Sequence, residues 1–338
     1  MAEPILEIRD LTVEFNTEDG VVHAVTHVSY DLHPGEVLGI VGESGSGKSV
    51  SMMSVLGLIP MPPGRIVTGE ALFKGEDLIK MSQRKLRDIR GGQMAMIFQD
   101  PMTSLNPVLT IGDQISEALT VHNPGIGDER AAGRTVELLE LVGVPFAERR
   151  VNQYPHEFSG GMRQRAMIAM SIANDPSVLV ADEPTTALDV TIQAQIVEVL
   201  KAAQRETHAA IVLITHDLGL IAELADRVVV MYAGKVVELG DVFTIFNSPR
   251  HPYTVGLMNS LARVDIDQER LEPIPGQPPS LVSLPPGCAF HPRCALSQGR
   301  AICRAEVPPL RRTDEGSHLS ACHFAEELAN VQVAGATA

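Results

Sequence analysis

The chain has 338 residues, 44% of them hydrophobic, and a formal net charge of −15. This length suggests one large domain with an appendage, or two domains with real cores. The basic residues are scattered, so the sequence lacks the positive footprint of a nucleic-acid-binding protein, and an anionic membrane surface would repel it. No apolar run approaches the ~18 residues of a membrane-spanning helix, and the N-terminus lacks a signal-peptide pattern. We therefore expect a cytoplasmic protein that other proteins hold at any membrane where it works.

The first segment has the pattern of paired strands. Residues 5–15 alternate apolar and polar for much of their length, as in a half-buried strand. Asp19 and Gly20 form a hairpin turn signal, and residues 21–30 are predicted to return as strands. Phe15, at a strand end, would by default be ordinary core.

A glycine-rich stretch follows an apolar run. Residues 37–41 are apolar, residues 42–49 have the sequence GESGSGKS, and residues 50–56 follow as a predicted helix. Strand, glycine loop and helix are the context of a P-loop, in which backbone N–H groups and the helix N-terminus face phosphate oxygens. Lys48 would then reach the β- and γ-phosphates, and the Ser49 hydroxyl would bind Mg²⁺. A plain Gly/Ser turn is the alternative, which the flanking strand and helix disfavour.

Polar residues follow three later apolar strands. Gln99 comes after residues 94–98, the pair Asp182 and Glu183 ends the run that starts at residue 178, and His216 follows residues 211–215. Ligands bind at the carboxyl ends of strands in α/β sheets, although such residues are often only solvated. Downstream of a P-loop, an acidic pair has the form of a Walker B element, which supports Mg²⁺ and polarises water.

The intervening segment has a different character. Residues 102–157 place apolar side chains at helical spacing with Pro/Gly loops between them, which predicts an inserted helical subdomain. Phe158-Ser159-Gly160-Gly161-Met162 then opens a helix that extends to about residue 173. Ser159 is a favoured N-cap, and the two glycines leave N–H groups open to an anion, although a plain capped helix would also fit.

In this order, the motifs resemble the nucleotide-binding subunit of an ABC transporter, over about residues 5 to 245. The family signature usually reads Leu-Ser-Gly-Gly-Gln, and here the departures spare Ser159 and both glycines. The resemblance implies an α/β P-loop NTPase fold, with a RecA-like core and antiparallel β subdomain over residues 1–101 and 176–245. It places the helical subdomain at 102–175 and leaves a Pro/Cys-rich extension at 246–338.

The resemblance also implies roles for individual residues. Phe15 would stack on adenine, and Glu183 would be the catalytic base, with Lys48, Gln99 and His216 completing the catalytic set. Mg²⁺ would be held by Ser49, Gln99 and Asp182. The ATP phosphates would contact Gly42, Ser44, Gly45, Ser46, Gly47, Lys48, Ser49 and Val50. Ser159, Gly160 and Gly161 would contact the ATP of a partner cassette, and Ala187-Leu188-Asp189 would form the D-loop.

A finer resemblance lies in the tail. Residues 247–254, NSPRHPYT, and residues 287–294, GCAFHPRC, resemble the extension of oligopeptide and dipeptide importer ATPases. This group implies a peripheral subunit on the cytoplasmic side of the membrane. Its partners would be a second, identical or related ATPase subunit, two transmembrane permease subunits and an extracellular or periplasmic substrate-binding protein. The cargo would be di- or oligopeptides; nickel complexes, glutathione and oligosaccharides are the alternatives.

All four cysteines, Cys288, Cys294, Cys303 and Cys322, lie in this tail, and residues 273–309 hold nine of the 23 prolines. Such a segment has little apolar core of its own and needs another form of stabilisation. In a reducing compartment, four clustered thiols favour metal binding over disulfides. Zn²⁺ and an iron–sulfur cluster both suit thiolates, and free thiols remain an alternative. The resemblance favours a [4Fe–4S] cluster, with His291 and His323 as possible substitute ligands.

Two rival functions belong to other classes. A soluble ABC protein that acts on ribosomes or DNA is disfavoured by the single cassette, the lack of a long coiled-coil insertion and the charge of −15. A regulatory protein with an inactive ATPase is disfavoured because Lys48, Glu183 and His216 are all present.

Overall fold

A computed structural model describes residues 3–186, 188–260, 273–313 and 316–330. Ala187 of the predicted D-loop, and parts of the predicted extension, lie outside the described residues. The strands are β1 (Leu6–Thr17), β2 (Gly20–Leu32), β3 (Val37–Val41), β4 (Gly64–Phe73), β5 (Glu76–Asp77), β6 (Met94–Ile97), β7 (Val178–Asp182), β8 (Ala210–Ile214), β9 (Arg227–Tyr232), β10 (Lys235–Asp241), β11 (Arg311–Arg312) and β12 (Leu319–Ser320).

The α-helices are α1 (Lys48–Val55), α2 (Gln83–Ile89), α3 (Pro101–Ser104), α4 (Ile111–His122), α5 (Asp128–Leu141), α6 (Ala147–Arg150), α7 (Gly160–Ile172), α8 (Val190–Thr207), α9 (Leu218–Leu224), α10 (Val242–Asn247), α11 (Pro252–Asn259) and α12 (Ile302–Ala305). The described residues form two compact units. The helical unit lies within Met1–Ile5, Leu32–Val37 and Lys80–Ile214, and the P-loop unit lies within Leu6–Asp31, Leu38–Ile79 and Thr215–Ala338. The division at 102–175 and 246–338 stays a prediction.

The helical unit is built around three parallel strands. β7 pairs with β6 on one side and with β8 on the other, and every residue of the three strands is buried. Continuous apolar strands of this kind are typical of parallel sheets covered on both faces. Because Ile97 lies opposite Ala181, the chain leaves β6 and β7 at the same edge. Gln99 and the acidic pair of β7 therefore emerge side by side.

The P-loop unit contains an antiparallel sheet in the order β2-β1-β4-β5 and a parallel pair formed by β3 and β9. All five residues of β3 are buried, as the apolar run predicts. β10 pairs antiparallel with β9 and, at its other edge, with β12, which pairs in turn with β11. The last two strands belong to the Pro/Cys-rich tail, so the tail completes the edge of this sheet.

A buried carboxylate holds the start of the tail on β10. Glu238 is fully buried, and it accepts hydrogen bonds from the backbone N–H groups of Arg250 and His251. The Nε2 atom of His318, next to β12, lies 2.7 Å from Glu238 Oε1. One side chain therefore binds two segments that are far apart in the sequence, and the sequence analysis did not identify it.

Candidate functional site

The glycine loop leaves β3 and enters α1 through Gly47, the N-cap. Gly47 has φ +97°, and a Cβ there would lie 2.3 Å from the carbonyl oxygen of Ala24, so only glycine fits. The Lys48 ammonium donates to the carbonyl oxygens of Gly42 and Glu43, at 2.7 and 3.1 Å, which keeps the loop curled. The predicted phosphate contacts all lie in this loop or the first turn of α1: Gly42, Ser44, Gly45, Ser46, Gly47, Lys48, Ser49 and Val50.

Two further predicted residues belong to the P-loop unit. Phe15 is half-buried near the end of β1 and faces Gly64, where a Cβ would lie 3.1 Å from Phe15 Cε1. His216 is exposed and directly precedes Asp217, the N-cap of α9. The adenine-stacking role of Phe15 and the γ-phosphate role of His216 stay predictions.

The acidic pair ends β7 in the helical unit. Asp182 is 5% exposed, whereas Glu183 is half-buried and has φ +47°. This left-handed conformation costs a non-glycine residue roughly 1–2 kcal/mol, and such strain concentrates at functional sites. The Glu183 N–H donates to the carbonyl oxygen of Ile214 at 2.7 Å, which holds the strained residue against β8.

The Glu183 carboxylate is oriented by two donors. The Gln99 amide donates to Glu183 Oε2 at 3.0 Å, and the Thr186 hydroxyl donates to the same oxygen at 2.8 Å. The structure thus brings together two side chains that the resemblance assigned to the reacting end of ATP. The sequence analysis missed Thr186, whose only signal was a hydroxyl three residues after the glutamate, within one turn.

The signature segment starts α7. Ser159 is its N-cap, and its hydroxyl oxygen accepts from the Met162 N–H at 3.4 Å. Ser159 and Gly160 are exposed, while Gly161 is buried, and a Cβ there would lie 2.8 Å from Ile192 Cγ2. An exposed helix N-terminus that begins with glycine can present N–H groups to a phosphate, as the sequence predicts.

The four cysteines of the tail line one cavity, together with Phe290 and Phe324 among others. Burial raises the pKa of each thiol, and that of Cys322 to about 12, so the thiols are protonated at neutral pH without a bound cation. Among the described residues, no group of three or more His, Cys, Asp or Glu side chains is close enough to hold a metal ion. Neither the predicted [4Fe–4S] cluster nor its Zn²⁺ alternative therefore gains support from this arrangement.

Each of the two candidate histidine ligands uses one ring nitrogen in a hydrogen bond. His291 Nδ1 lies 2.9 Å from the Cys288 carbonyl oxygen, and His323 Nε2 lies 3.0 Å from that of Glu306. Since a carbonyl only accepts, each of these ring nitrogens carries a proton and donates. In each ring the other nitrogen is the one that could bind a metal, as in metal-bound histidines whose second nitrogen donates to a carbonyl.

Comparison with known families gives two matches along the chain. The model of the ABC transporter family matches residues 25–186, and that of the oligopeptide/dipeptide transporter C-terminal region matches residues 237–303. The oligopeptide transport ATP-binding protein OppD of Bacillus subtilis is 52% identical over 312 residues, which is 92% of this chain and 86% of that protein. The chain belongs to the ABC transporter ATP-binding proteins. It is therefore an ATPase subunit of the oligopeptide/dipeptide group.

A second relative and a solved structure support the same family assignment. The dipeptide transport ATP-binding protein DppD of Escherichia coli K12 is 50% identical to this ABC subunit over 320 residues, which is 95% of the chain and 96% of the relative. The ATP-binding cassette MJ0796, solved as a dimer with ADP and Pi, superposes with a TM-score of 0.63 and 26% identity. It covers 70% of this ABC subunit and 98% of its own chain. Among the residues that the structure describes, no helix is long and apolar enough to cross a membrane.

Proposed function

We propose that this ABC subunit hydrolyses ATP to power the uptake of short peptides. Peptides are the proposed cargo because residues 237–303 match the oligopeptide/dipeptide transporter C-terminal region. The relatives named above are likewise an oligopeptide and a dipeptide transport protein. Nickel complexes, glutathione and oligosaccharides are the alternative cargoes, because an ATPase subunit does not itself contact the cargo.

In the proposed mechanism, the glycine loop and α1 bind the ATP phosphates, and Lys48 neutralises charge at the γ-phosphate. Ser49, Gln99 and Asp182 would hold Mg²⁺, and their hydroxyl, amide and carboxylate oxygens are the donors that this ion prefers. Bound Mg²⁺ would lower the charge that builds up on the phosphate oxygens. Glu183 would accept a proton from the attacking water, and the bonds that Gln99 and Thr186 donate to Oε2 orient its carboxylate for this role.

We further propose that two cassettes close around ATP, with Ser159, Gly160 and Gly161 contacting the nucleotide bound to the partner. The exposed N-terminus of α7 supports this role, and the MJ0796 cassette is a dimer in its solved form. The two cassettes would lie on the cytoplasmic side of the membrane against two transmembrane permease subunits. An extracellular or periplasmic substrate-binding protein would complete the assembly. ATP would favour the closed pair through its higher affinity for that state.

The cargo is tested on the complete transporter, purified through this subunit and reconstituted into lipid vesicles. We expect ATP-dependent uptake of a labelled tri- or pentapeptide in the presence of the substrate-binding protein, and loss of uptake in Lys48→Ala. Glutathione, a nickel chelate and a maltotriose-type sugar are the competing cargoes in the same assay. Uptake of one of these without any peptide uptake would replace the peptide assignment but retain the ATPase.

We also propose that Cys288, Cys294, Cys303 and Cys322 hold a [4Fe–4S] cluster that stabilises the Pro-rich tail. The four thiols line one cavity of the tail, and four thiolates are the usual ligand set of such a cluster. When bound, the cluster would supply four metal–thiolate bonds between segments that share little apolar surface.

Metal analysis tests this proposal on protein purified without oxygen. We expect about four iron and four sulfide per chain, since four thiolates are the usual ligand set of such a cluster, with a loss of most of both in Cys294→Ser. His291→Asn and His323→Asn are the matched controls, and both should retain full iron because the four thiolates complete the ligand set. Stoichiometric zinc, or no metal in any preparation, would contradict the cluster.

A further inference from the structure

An ion pair joins the tail to the glycine loop. Arg293 lies between Cys288 and Cys294, and its guanidinium donates to both carboxylate oxygens of Glu43, the second residue of the loop, at 2.7 and 2.9 Å. The Arg293 side chain is 5% exposed and that of Glu43 is 26% exposed. A bidentate, largely buried pair is stronger and more rigid than the usual surface ion pair.

Arg293 is itself held in place by the tail. Its Nε donates to the Pro275 carbonyl oxygen at 2.8 Å, and its Nη1 donates to the Tyr232 hydroxyl at 3.3 Å. The guanidinium lies 5.8 Å from the ring centres of both Tyr232 and Phe290. The arginine is thus pre-oriented toward the loop, and it is almost fully buried.

A second bond reaches the same loop residue through its backbone. The Glu43 N–H donates to the Tyr253 hydroxyl at 2.8 Å. The rings of Tyr253, Tyr232 and Phe290 form a buried cluster with centre-to-centre distances of 4.7 to 5.5 Å. The glycine loop is therefore held by a cluster that consists of Tyr253 and Phe290 of the tail and Tyr232 of β9.

The remaining polar group of Glu43 faces the phosphate-binding side of the loop. Its carbonyl oxygen accepts from Lys48 Nζ at 3.1 Å and from the Ser46 N–H at 3.1 Å. Glu43 therefore connects the tail to the lysine that binds phosphate in P-loops. It also places a negative charge in a loop that must accept a highly anionic ligand, and Arg293 neutralises that charge.

We propose that Arg293 and Tyr253 are positioning residues of the nucleotide site, which hold the glycine loop in its phosphate-binding conformation through Glu43. Through them, the folding of the cysteine-bearing tail sets the affinity of the subunit for ATP. This inference rests on the proposed binding of ATP phosphates by the glycine loop. It gives the tail a role in the ATPase cycle in addition to its structural one.

A double-mutant cycle on the full-length chain tests the proposal. Arg293→Gln leaves the Glu43 carboxylate without its partner beside the phosphates, so we expect the Kd for Mg-ATP to rise about tenfold, the size typical of coupled neighbouring residues. Glu43→Gln removes the negative charge and should change the Kd by less than about threefold. The double variant should bind Mg-ATP about as weakly as Arg293→Gln alone, because both residues act through one pair.

The readouts are the Kd of a fluorescent ATP analogue and, in the complete transporter, KM and kcat separately. We expect Arg293→Gln to raise KM and to leave kcat nearly unchanged, since Arg293 does not touch the reacting atoms. Arg293→Lys retains the positive charge but cannot donate two parallel hydrogen bonds to the carboxylate. Its Kd for Mg-ATP should lie between those of the wild type and Arg293→Gln. This variant also keeps the test decisive if Arg293→Gln fails to fold.

Arg300→Gln is the matched control. Arg300 makes a similar bidentate pair in the same tail, with Glu327, and stacks on Phe324. It should leave the Kd for Mg-ATP unchanged. If Arg293→Gln and Arg293→Lys bind Mg-ATP as the wild type does, or if the losses of the two single variants add in the double variant, the positioning role is wrong. A wild-type chain that binds no Mg-ATP would overturn both this role and the nucleotide assignment.

Discussion

Glu183→Gln should lower steady-state ATP hydrolysis by at least about a hundredfold, the usual contribution of a general base, and leave Mg-ATP binding intact. The amide keeps the shape of the carboxylate, and its oxygen can still accept from Thr186. It cannot, however, take a proton from water. The measurement is phosphate release by the complete transporter at saturating ATP, alongside the nucleotide Kd of the isolated subunit.

The control for this variant is Glu198→Gln. Glu198 lies on α8 with an exposed side chain that pairs with Lys201, and such a pair contributes little. We expect wild-type hydrolysis in the control. If Glu183→Gln retains a tenth or more of the wild-type rate, another group acts as the base.

Glu238→Ala should lower the free energy of unfolding by about 3 kcal/mol or more, because it leaves two backbone N–H groups and His318 without their buried acceptor. We expect the tail to detach first, since Glu238 binds both the segment at residues 250–251 and the turn at His318. Urea unfolding followed by circular dichroism measures the loss, as the chain has no tryptophan to serve as a fluorescence probe. Limited proteolysis would locate the detached segment.

Glu326→Ala provides the comparison for Glu238→Ala. Glu326 also lies in the tail region and pairs with Arg311, but its side chain is 59% exposed. Removal of a solvent-exposed pair should cost less than about 1 kcal/mol. Similar small losses in both variants would mean that Glu238 does not anchor the tail.

The sequence predicted the local features of the nucleotide site because their causes are local. The apolar run at 37–41, the glycines and the following helix each depend on neighbouring residues, and the structure gives a buried strand, a loop and α1 in that order. The strand predicted at 94–98 ends at Ile97, and Phe98 is 38% exposed. The residue at which a strand ends depends on how far the neighbouring strand continues to pair with it. The apolar pattern of the sequence does not contain this information.

The long-range contacts could not be predicted in the same way. Glu43 and Arg293 are 250 residues apart in the sequence, and no local sequence pattern indicates that they form a pair. β11 and β12 have two residues each, too few for any alternation to be visible, and they form only because β10 offers an edge. The tail can therefore be recognised in the sequence as a Pro/Cys-rich segment, but the residues that it contacts are determined by tertiary packing.

The pairing of β12 with β10 has a consequence for how such proteins can change. A sheet edge without a partner exposes N–H and C=O groups that can recruit another chain. Residues 319–320 cover part of that edge, and the carboxylate of Glu238 lies buried beneath them. A gene shortened before β11 would therefore encode a protein prone to self-association, and the tail cannot be exchanged between relatives as an independent module without a matching β10.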